Sequence, residues 1–365
     1  MNVYSTQDIL PKNDAFAKLP GKLQLALRYR WYKKSMKGPA DGRFLQYYPA
    51  LISLLKKHSY DIVILENLPT LNAVSIIRKY DPLTKIIYDA HNVDSNLAAL
   101  EVSKGATGKQ AGGIRKVERT LYKTVNAVFT CSTNDLLDFE RMNRHKLPGV
   151  VIPNGVELGP LLDNGVKKDE PDYILFCGTL YSPHNVDGLL WFYNKIWPLC
   201  KHSFANLKLL VLGSGKPPGS LYQLSNDESV TFTGTVADVK PWYNKAAIAV
   251  VPLLTGSGTR LKILEAMSYG LPVISTTKGA EGIDCTHGLD ILVADKENDF
   301  AGEIMGLLED KNKRIFLQKN ARRLVEEKYD WNIIGIKMKN YINNISRGES
   351  PEKLKVVSAK INGAC

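Results

Sequence analysis

The chain has 365 residues, 44% of them hydrophobic and 23% charged, which is too much for one ordinary core and points to two packed domains. The formal net charge of +11 is uneven: residues 1 to 160 hold 23 Lys/Arg against 14 Asp/Glu, the rest 25 against 23. Collagen, chain-wide disorder and a small disulfide scaffold are excluded, and apolar runs such as Ile248 to Leu254 fall far short of the roughly 18 residues that cross a bilayer.

In chain order, residues 6 to 60 read as polar loop and then helices, ending in YPALISLLKKHSY with apolar positions three and four apart. Asp61 to Glu66 reads as a strand, Leu71 to Lys79 as a helix and Lys85 to Asp89 as another strand. Short strands at Ala127 to Cys131 and Gly149 to Ile152 surround a helix from about Thr133. This β-α-β alternation predicts an open parallel sheet. Pro153 to Asp172 concentrates Gly, Pro, Asn and charge, and marks a boundary. Strands then recur at Tyr173 to Cys177, Lys208 to Leu212, Val230 to Phe232, Ile248 to Pro252, Pro272 to Ser275 and Asp290 to Val293. The pattern is helical from Asp299, and the polar stretch from Ser346 reads as a disordered tail. The expected division is a first domain over 1–158, a second over 159–345 and a tail over 346–365. The start MNVYSTQDIL lacks the layout of a secretory leader, so a cytoplasmic location is expected.

The basic excess lies in Leu19 to Gly38 and Lys109 to Lys123, where Lys and Arg are interleaved with Leu, Tyr and Trp. That pattern suits an anionic membrane surface, reached from its inner face, or a phosphate-bearing acceptor, and equally a solvated basic face with no partner. Nucleic acid is not expected, because no zinc-finger spacing or aromatic RNP string is present. Five widely spaced cysteines (Cys131, Cys177, Cys200, Cys285, Cys365), without a C-x-x-C, read as buried thiols.

The stretch Val250 to Thr276 carries the chemistry. A buried strand runs into Gly256-Ser257-Gly258-Thr259 and then into a helix from Arg260 to about Tyr269. Small residues let a ligand approach the backbone, and the free amides opening the helix form an anion site to which Arg260 and Lys262 add charge. Glu265 lies one turn deeper, placed to accept from vicinal hydroxyls such as those of a ribose. Phosphate site and hydroxyl acceptor together fit a nucleoside diphosphate; the plain alternative is an ordinary Lys262–Glu265 surface pair. VLGSGKPPG at Val211 to Gly219 begins as a dinucleotide fingerprint, but Pro218 stands where its third glycine belongs, which disfavours a dehydrogenase.

These residues resemble the retaining glycosyltransferases of family 4, which have the GT-B fold. The resemblance runs from about Tyr60 to Ile345 and rests on VIPNGVE, ILFCGTLYSPHNVDGLLWF, LLVLGSG, VTFTGTVADVKPWYNKAAIAVVPL, GSGTRLKILEAMSYGLPVIST, GAEGI and YDWNIIG in that order. It implies an α/β chain of two Rossmann-like domains facing across a cleft, the second holding a nucleotide sugar and the first a glycan or lipid-linked acceptor. By the same resemblance Glu265 binds the ribose and the backbone of Arg260, Leu261 and Lys262, after Gly258 and Thr259, binds phosphate. Gly178 and Thr179 border the diphosphate, Gly213 borders the nucleoside, and Val236 meets the base edge. His91, in IIYDAHNVDSN, matches the active-site histidine that steadies the sugar; its plain alternative is a structural hydrogen-bonder closing the strand.

Two positions depart from the family pattern: Ser257 stands where a sugar-binding glutamate is usual, and Thr179 where an arginine is. Arg260 and Lys262 are therefore expected to carry the diphosphate charge. The usual opening β-α units of a GT-B first domain are not visible before MNVYST, so an incomplete acceptor wall and weak activity are expected. No cofactor and no metal are expected, since Asp89, His91 and Asp94 lack a second ligand cluster. Together with the resemblance, these readings imply a metal-independent retaining transferase. The alternatives are a nucleotide-sugar epimerase or hydrolase on the same fold, or a catalytically inactive glycan-binding or scaffolding subunit.

Overall fold

The computed structural model describes residues 48–103, 108–143, 147–159, 173–256 and 258–347. The basic segment Leu19 to Gly38, position 257, most of the Pro153 to Asp172 boundary and nearly all of the tail lie outside the described residues. The chain divides into two compact units: Met1–Ile152 together with Met338–Cys365, and Pro153–Lys337. The first break falls six residues before the one expected from the loop composition. The larger difference is at the far end, where residues from Met338 fold with the first unit because their apolar side chains pack on its sheet.

In the first unit, α1 (Tyr48–Lys57), β1 (Ile62–Glu66), α2 (Val74–Tyr80), β2 (Lys85–Ala90), α3 (Asp94–Ser103), α4 (Gly108–Glu118), α5 (Leu121–Thr124), β3 (Ala127–Thr130), α6 (Thr133–Asn143) and β4 (Gly149–Val151) follow one another. The four strands form one parallel sheet in the order β1-β2-β3-β4. Side chains alternate across it, as the pleat requires. Ile86, Tyr88 and Val128 face Ile77, Leu121 and Phe139 on one side. Ile87, Ala127 and Phe129 face Tyr341 and Ile345 on the other. The helix expected at Leu71 begins later, because Leu68–Ala73 is a tighter 3-10 turn led by Asn67 at φ 65 and by Pro69.

The second unit runs through β5 (Tyr173–Cys177), α7 (Pro183–Trp191), a π-helical turn at Phe192–Ile196, α8 (Trp197–Ser203), β6 (Lys208–Leu212), α9 (Tyr222–Ser225), β7 (Val230–Gly234), α10 (Lys240–Lys245) and β8 (Ile248–Val251). It continues with α11 (Leu261–Ser268), β9 (Val273–Ser275), α12 (Thr277–Ala280), β10 (Leu292–Val293), α13 (Glu297–Glu309), α14 (Lys311–Lys328) and the first turns of α15 (Trp331–Ser346). Its six-stranded sheet has the order β10-β9-β8-β5-β6-β7, with every pairing parallel. The β5 run YILFC shows why both faces are covered. Ile174 and Phe176 join the core under Leu189, Phe192 and Phe300. Leu175 joins the opposite core under Tyr243, Ile263 and Met267. Continuous apolar strands of this kind need helices on both sides.

Two of the sequence motifs clamp each other inside this unit. Val156 of VIPNGVE donates its N–H to the Tyr329 carbonyl of YDWNIIG at 2.9 Å. A Cβ on Gly155 would lie 2.9 Å from that same oxygen and 2.8 Å from the Trp331 ring, so the close approach requires glycine. Among the described residues Cys131 and Cys200 are buried, whereas Cys177 and Cys285 are only partly so, and all four are free thiols.

Candidate functional site

The strand order of the second sheet reverses at β5 and β8: the chain builds outward from β5 to β6 and β7, then from β8 to β9 and β10. The loops leaving the carboxyl ends of β5 and β8 therefore border the crevice where open α/β sheets take ligands.

The loop after β5, Gly178-Thr179-Leu180, is tied to the loop after β6. Gly178 N–H donates to the Leu212 carbonyl at 2.9 Å and Leu180 N–H to that of Ser214 at 2.8 Å. A Cβ on Gly213 would stand 2.1 Å from the Gly178 carbonyl oxygen, so these backbones meet only because position 213 has no side chain. Thr179 is exposed beside them.

The loop after β8 turns through Gly256 (φ 114) and Gly258 (φ 78), both in the left-handed region that favours glycine. The Arg260 guanidinium lies against Gly256, with Nη2 only 2.8 Å from where a Cβ would be. Helix α11 then starts with Arg260 at its cap position and no side-chain cap, leaving its first amides for solvent or an anion. The Leu261 side chain is exposed at this end. The Thr259 hydroxyl is buried without a hydrogen-bond partner among the described residues. Gly282 packs beside it, and the neighbouring Glu281 opposes the downward pressure that burial puts on the Arg260 pKa.

Lys262 and Glu265 do not pair with each other. The Lys262 ammonium turns inward, donates to Asn185 Oδ1 at 2.7 Å and lies 5.3 Å from the centre of the Phe176 ring. Burial pushes its pKa down to about 8. Asn185 in turn donates to the Thr179 carbonyl at 2.9 Å, and a Cβ on Gly178 would come 2.7 Å from Lys262 Nζ. The glycine thus opens the space into which the ammonium reaches. Glu265 accepts from the Tyr243 hydroxyl at 2.8 Å through Oε2, and Tyr243 is fixed by stacking on Tyr269 with centroids 4.7 Å apart. One carboxylate oxygen is held; Oε1 has no hydrogen bond to a described residue. Val236, after β7, packs on the same core as Tyr243.

Gly178, Thr179, Gly213, Arg260, Lys262 and Glu265 therefore surround the ends of β5, β6 and β8. Asn185 and Tyr243 complete the cluster, although the sequence did not single them out. Asn185 could have been found as a polar residue beside Val186 and Leu189 on the buried face of α7, where it is 8% exposed. Tyr243 gave no such signal. His91 belongs to the first unit, where it follows β2 and is exposed. Its neighbours are the carboxyls of Asp89 and Asp94, both raised by burial and both eased by the histidine.

Residues 171–310 match the family described as glycosyl transferases group 1. An uncharacterized glycosyltransferase of Haemophilus influenzae is 29% identical over 234 residues, covering 59% of this chain and 62% of that one. The curated relatives are matched over only 42% to 62% of their own lengths. Among solved structures, sucrose-phosphate synthase from Thermosynechococcus elongatus superposes with a TM-score of 0.64 at 16% identity, over 93% of this chain and 83% of that one. Anabaena HepE in complex with UDP and glucose gives 0.60 at 15% identity, over 84% of each chain. The fold is that of the GT-B glycosyltransferases, and the crevice described above lies within the matched domain.

Proposed function

We propose that the chain is a retaining, metal-independent glycosyltransferase that moves a sugar from a nucleoside diphosphate to a hydroxyl of a glycan or lipid-linked acceptor. The observation that carries this reading is the arrangement at the start of α11. Two cations and an uncapped helix start stand beside a carboxylate with one oxygen fixed by Tyr243 and the other left for a ligand. Similarity to the group 1 transferases supports the class of reaction, and a relative of the fold that holds UDP and glucose supports the class of donor.

In this reading, Arg260, Lys262 and the α11 amides stabilise the negative charge that grows on the departing diphosphate, which is where preorganised donors act most strongly. Asn185 holds the Lys262 ammonium toward the Gly178 gap. Glu265 takes the ribose hydroxyls through its open oxygen. Gly178, Thr179 and Gly213 let the diphosphate and nucleoside approach the backbone, with Val236 offering its backbone groups to the base. His91 steadies the transferring sugar by hydrogen bonding, and attack by the acceptor proceeds on the face the diphosphate leaves.

Thermal shift with UDP-, GDP-, TDP- and CDP-sugars, on the chain and on Glu265→Ala, tests the reading. One nucleotide is expected to raise the melting temperature of the chain, and alanine is expected to weaken its binding by about tenfold to a hundredfold. Unchanged affinity in Glu265→Ala would remove the carboxylate from the site. Product formed without an acceptor would mean a hydrolase or epimerase instead.

A further inference from the structure

In the first unit, α4, α5 and α6 wall a cavity of about 570 Å³ that is separate from the β5/β8 crevice. It is lined by Arg115, Lys116 and Arg119 together with Thr120, Tyr122, Met142 and Asn143, and no acidic side chain among the described residues lines it. Positions 112, 115, 116 and 119 share one helical face. Arg119, just past the end of α4, still donates its N–H to the Arg115 carbonyl at 3.0 Å and so keeps that face continuous.

Three like charges on one face repel one another, and helices usually relieve this with interleaved acids. Here the acid of the segment is turned away. Glu118 is fully buried and accepts the Ser95 N–H at 3.2 Å. Among the described residues, Arg115, Lys116 and Arg119 make no ion pair or hydrogen bond through their side chains. A fourth cation, Lys123, stands 5.3 Å from the centre of the ring of Tyr122, which lines the cavity.

The cavity is also rigidly built. Asn143 donates to the carbonyls of Glu118 at 2.9 Å and Phe139 at 2.8 Å, and accepts the Tyr122 N–H at 3.3 Å. One buried amide thus ties the end of α4, the start of α5 and the end of α6. Gly112 forms part of the rim; a Cβ there would meet nothing within 4 Å. Packing does not require this helix-weakening residue, and its missing side chain keeps the mouth wide.

We infer that this pocket binds a phosphate group, gripped by the Arg115 and Arg119 guanidinium forks and the Lys116 ammonium. Paired guanidiniums suit phosphate oxygens in a bidentate manner that ammonium alone does not. The volume leaves room for an ester substituent. That phosphate is either the headgroup of a phospholipid at a bilayer or part of a soluble phosphorylated compound. The site stands whether or not the second unit takes a nucleotide.

Two measurements on the full chain separate these sources. The first is cosedimentation with vesicles of phosphatidylcholine, and of equal parts phosphatidylcholine and phosphatidylglycerol. The second is the melting shift produced by glycerol 3-phosphate. Each is repeated on the combined Arg115→Gln, Lys116→Gln, Arg119→Gln variant and on Gly112→Glu. In Gly112→Glu a carboxylate three and four residues before Arg115 and Lys116 lowers the net charge of the face by one, in open space. A lipid site predicts binding to the anionic vesicles only, weakened about fivefold for each charge removed and about a hundredfold in the triple variant. A soluble ligand predicts a melting shift by glycerol 3-phosphate that both variants lose. Binding or shifts that persist unchanged in both variants would overturn the site, as would a wild-type chain that responds to neither probe. Unliganded melting temperatures near wild type show that the variants fold.

Discussion

Lys262 and the trio Arg115, Lys116 and Arg119 carry the same sign of charge in opposite circumstances. Lys262 is taken out of water, hydrogen-bonded to one amide and pressed toward neutrality by burial. The trio is exposed and without acidic partners among the described residues. A buried cation costs the free protein stability and is worth most when an anion arrives in the same dry space. Exposed cations cost little, act at longer range and weaken with salt. The first arrangement suits chemistry at one atom, and the second suits capture.

The sharpest way to break this contrast is Lys262→Met. Diphosphate affinity is expected to fall about a hundredfold by calorimetry, while the melting temperature of the free protein at neutral pH stays level or rises, since a buried charge has been removed. A large loss of melting temperature with unchanged affinity would make Lys262 structural. The pH dependence follows from the same burial. The folded pKa of about 8 lies below the ordinary lysine value of 10.5, so between these values the unfolded chain binds more protons and stability from this group rises with pH. Anion binding needs the charged form and should weaken as pH climbs through about 8, a slope that Lys262→Met abolishes.

Glu118 gives a second, smaller comparison, because it is a buried acid beneath the exposed trio. Burial raises its pKa from 4.5 to about 7. The folded state therefore binds the extra proton, and its stabilising effect is full below 4.5 and lost as pH rises to about 7. Glu118→Gln should flatten that slope and stabilise the first unit near neutral pH by about 2 kcal/mol in denaturant titrations. The smallest expected effect is at Gly112, where alanine has room and should stabilise α4 by up to about 1 kcal/mol. A destabilised Gly112→Ala would mean that the rim is tighter than its open geometry.

The strands of both sheets were legible because each is a short apolar run whose alternate residues enter two different cores. The glycine loops were legible too, since backbone contacts as close as Gly213 on Gly178 admit no other residue. The partners of the candidate site's side chains were not. Local spacing could offer Lys262 and Glu265 only each other, three residues apart. In the fold they turn to Asn185 and Tyr243, which are brought near by the order of the strands and not by anything in the helix. The motifs VIPNGVE and YDWNIIG were read as marks of a family, and they prove to be a mutual clamp through Val156 and Tyr329. The basic segment at Lys109 to Lys123 showed its charge in the sequence, but its shape as a pocket depends on Asn143, twenty residues away and buried.

The last helix among the described residues begins in the second unit and ends by packing Tyr341 and Ile345 over Ile87, Ala127 and Phe129 of the first. During synthesis, then, the ribosome delivers the whole second unit before it delivers the cover for one face of the earlier sheet. The nascent first unit therefore lacks the cover that Tyr341 and Ile345 give Phe129 and Ile87 while the second unit is being made. Its maturation waits on the final turns of a helix made some two hundred residues later.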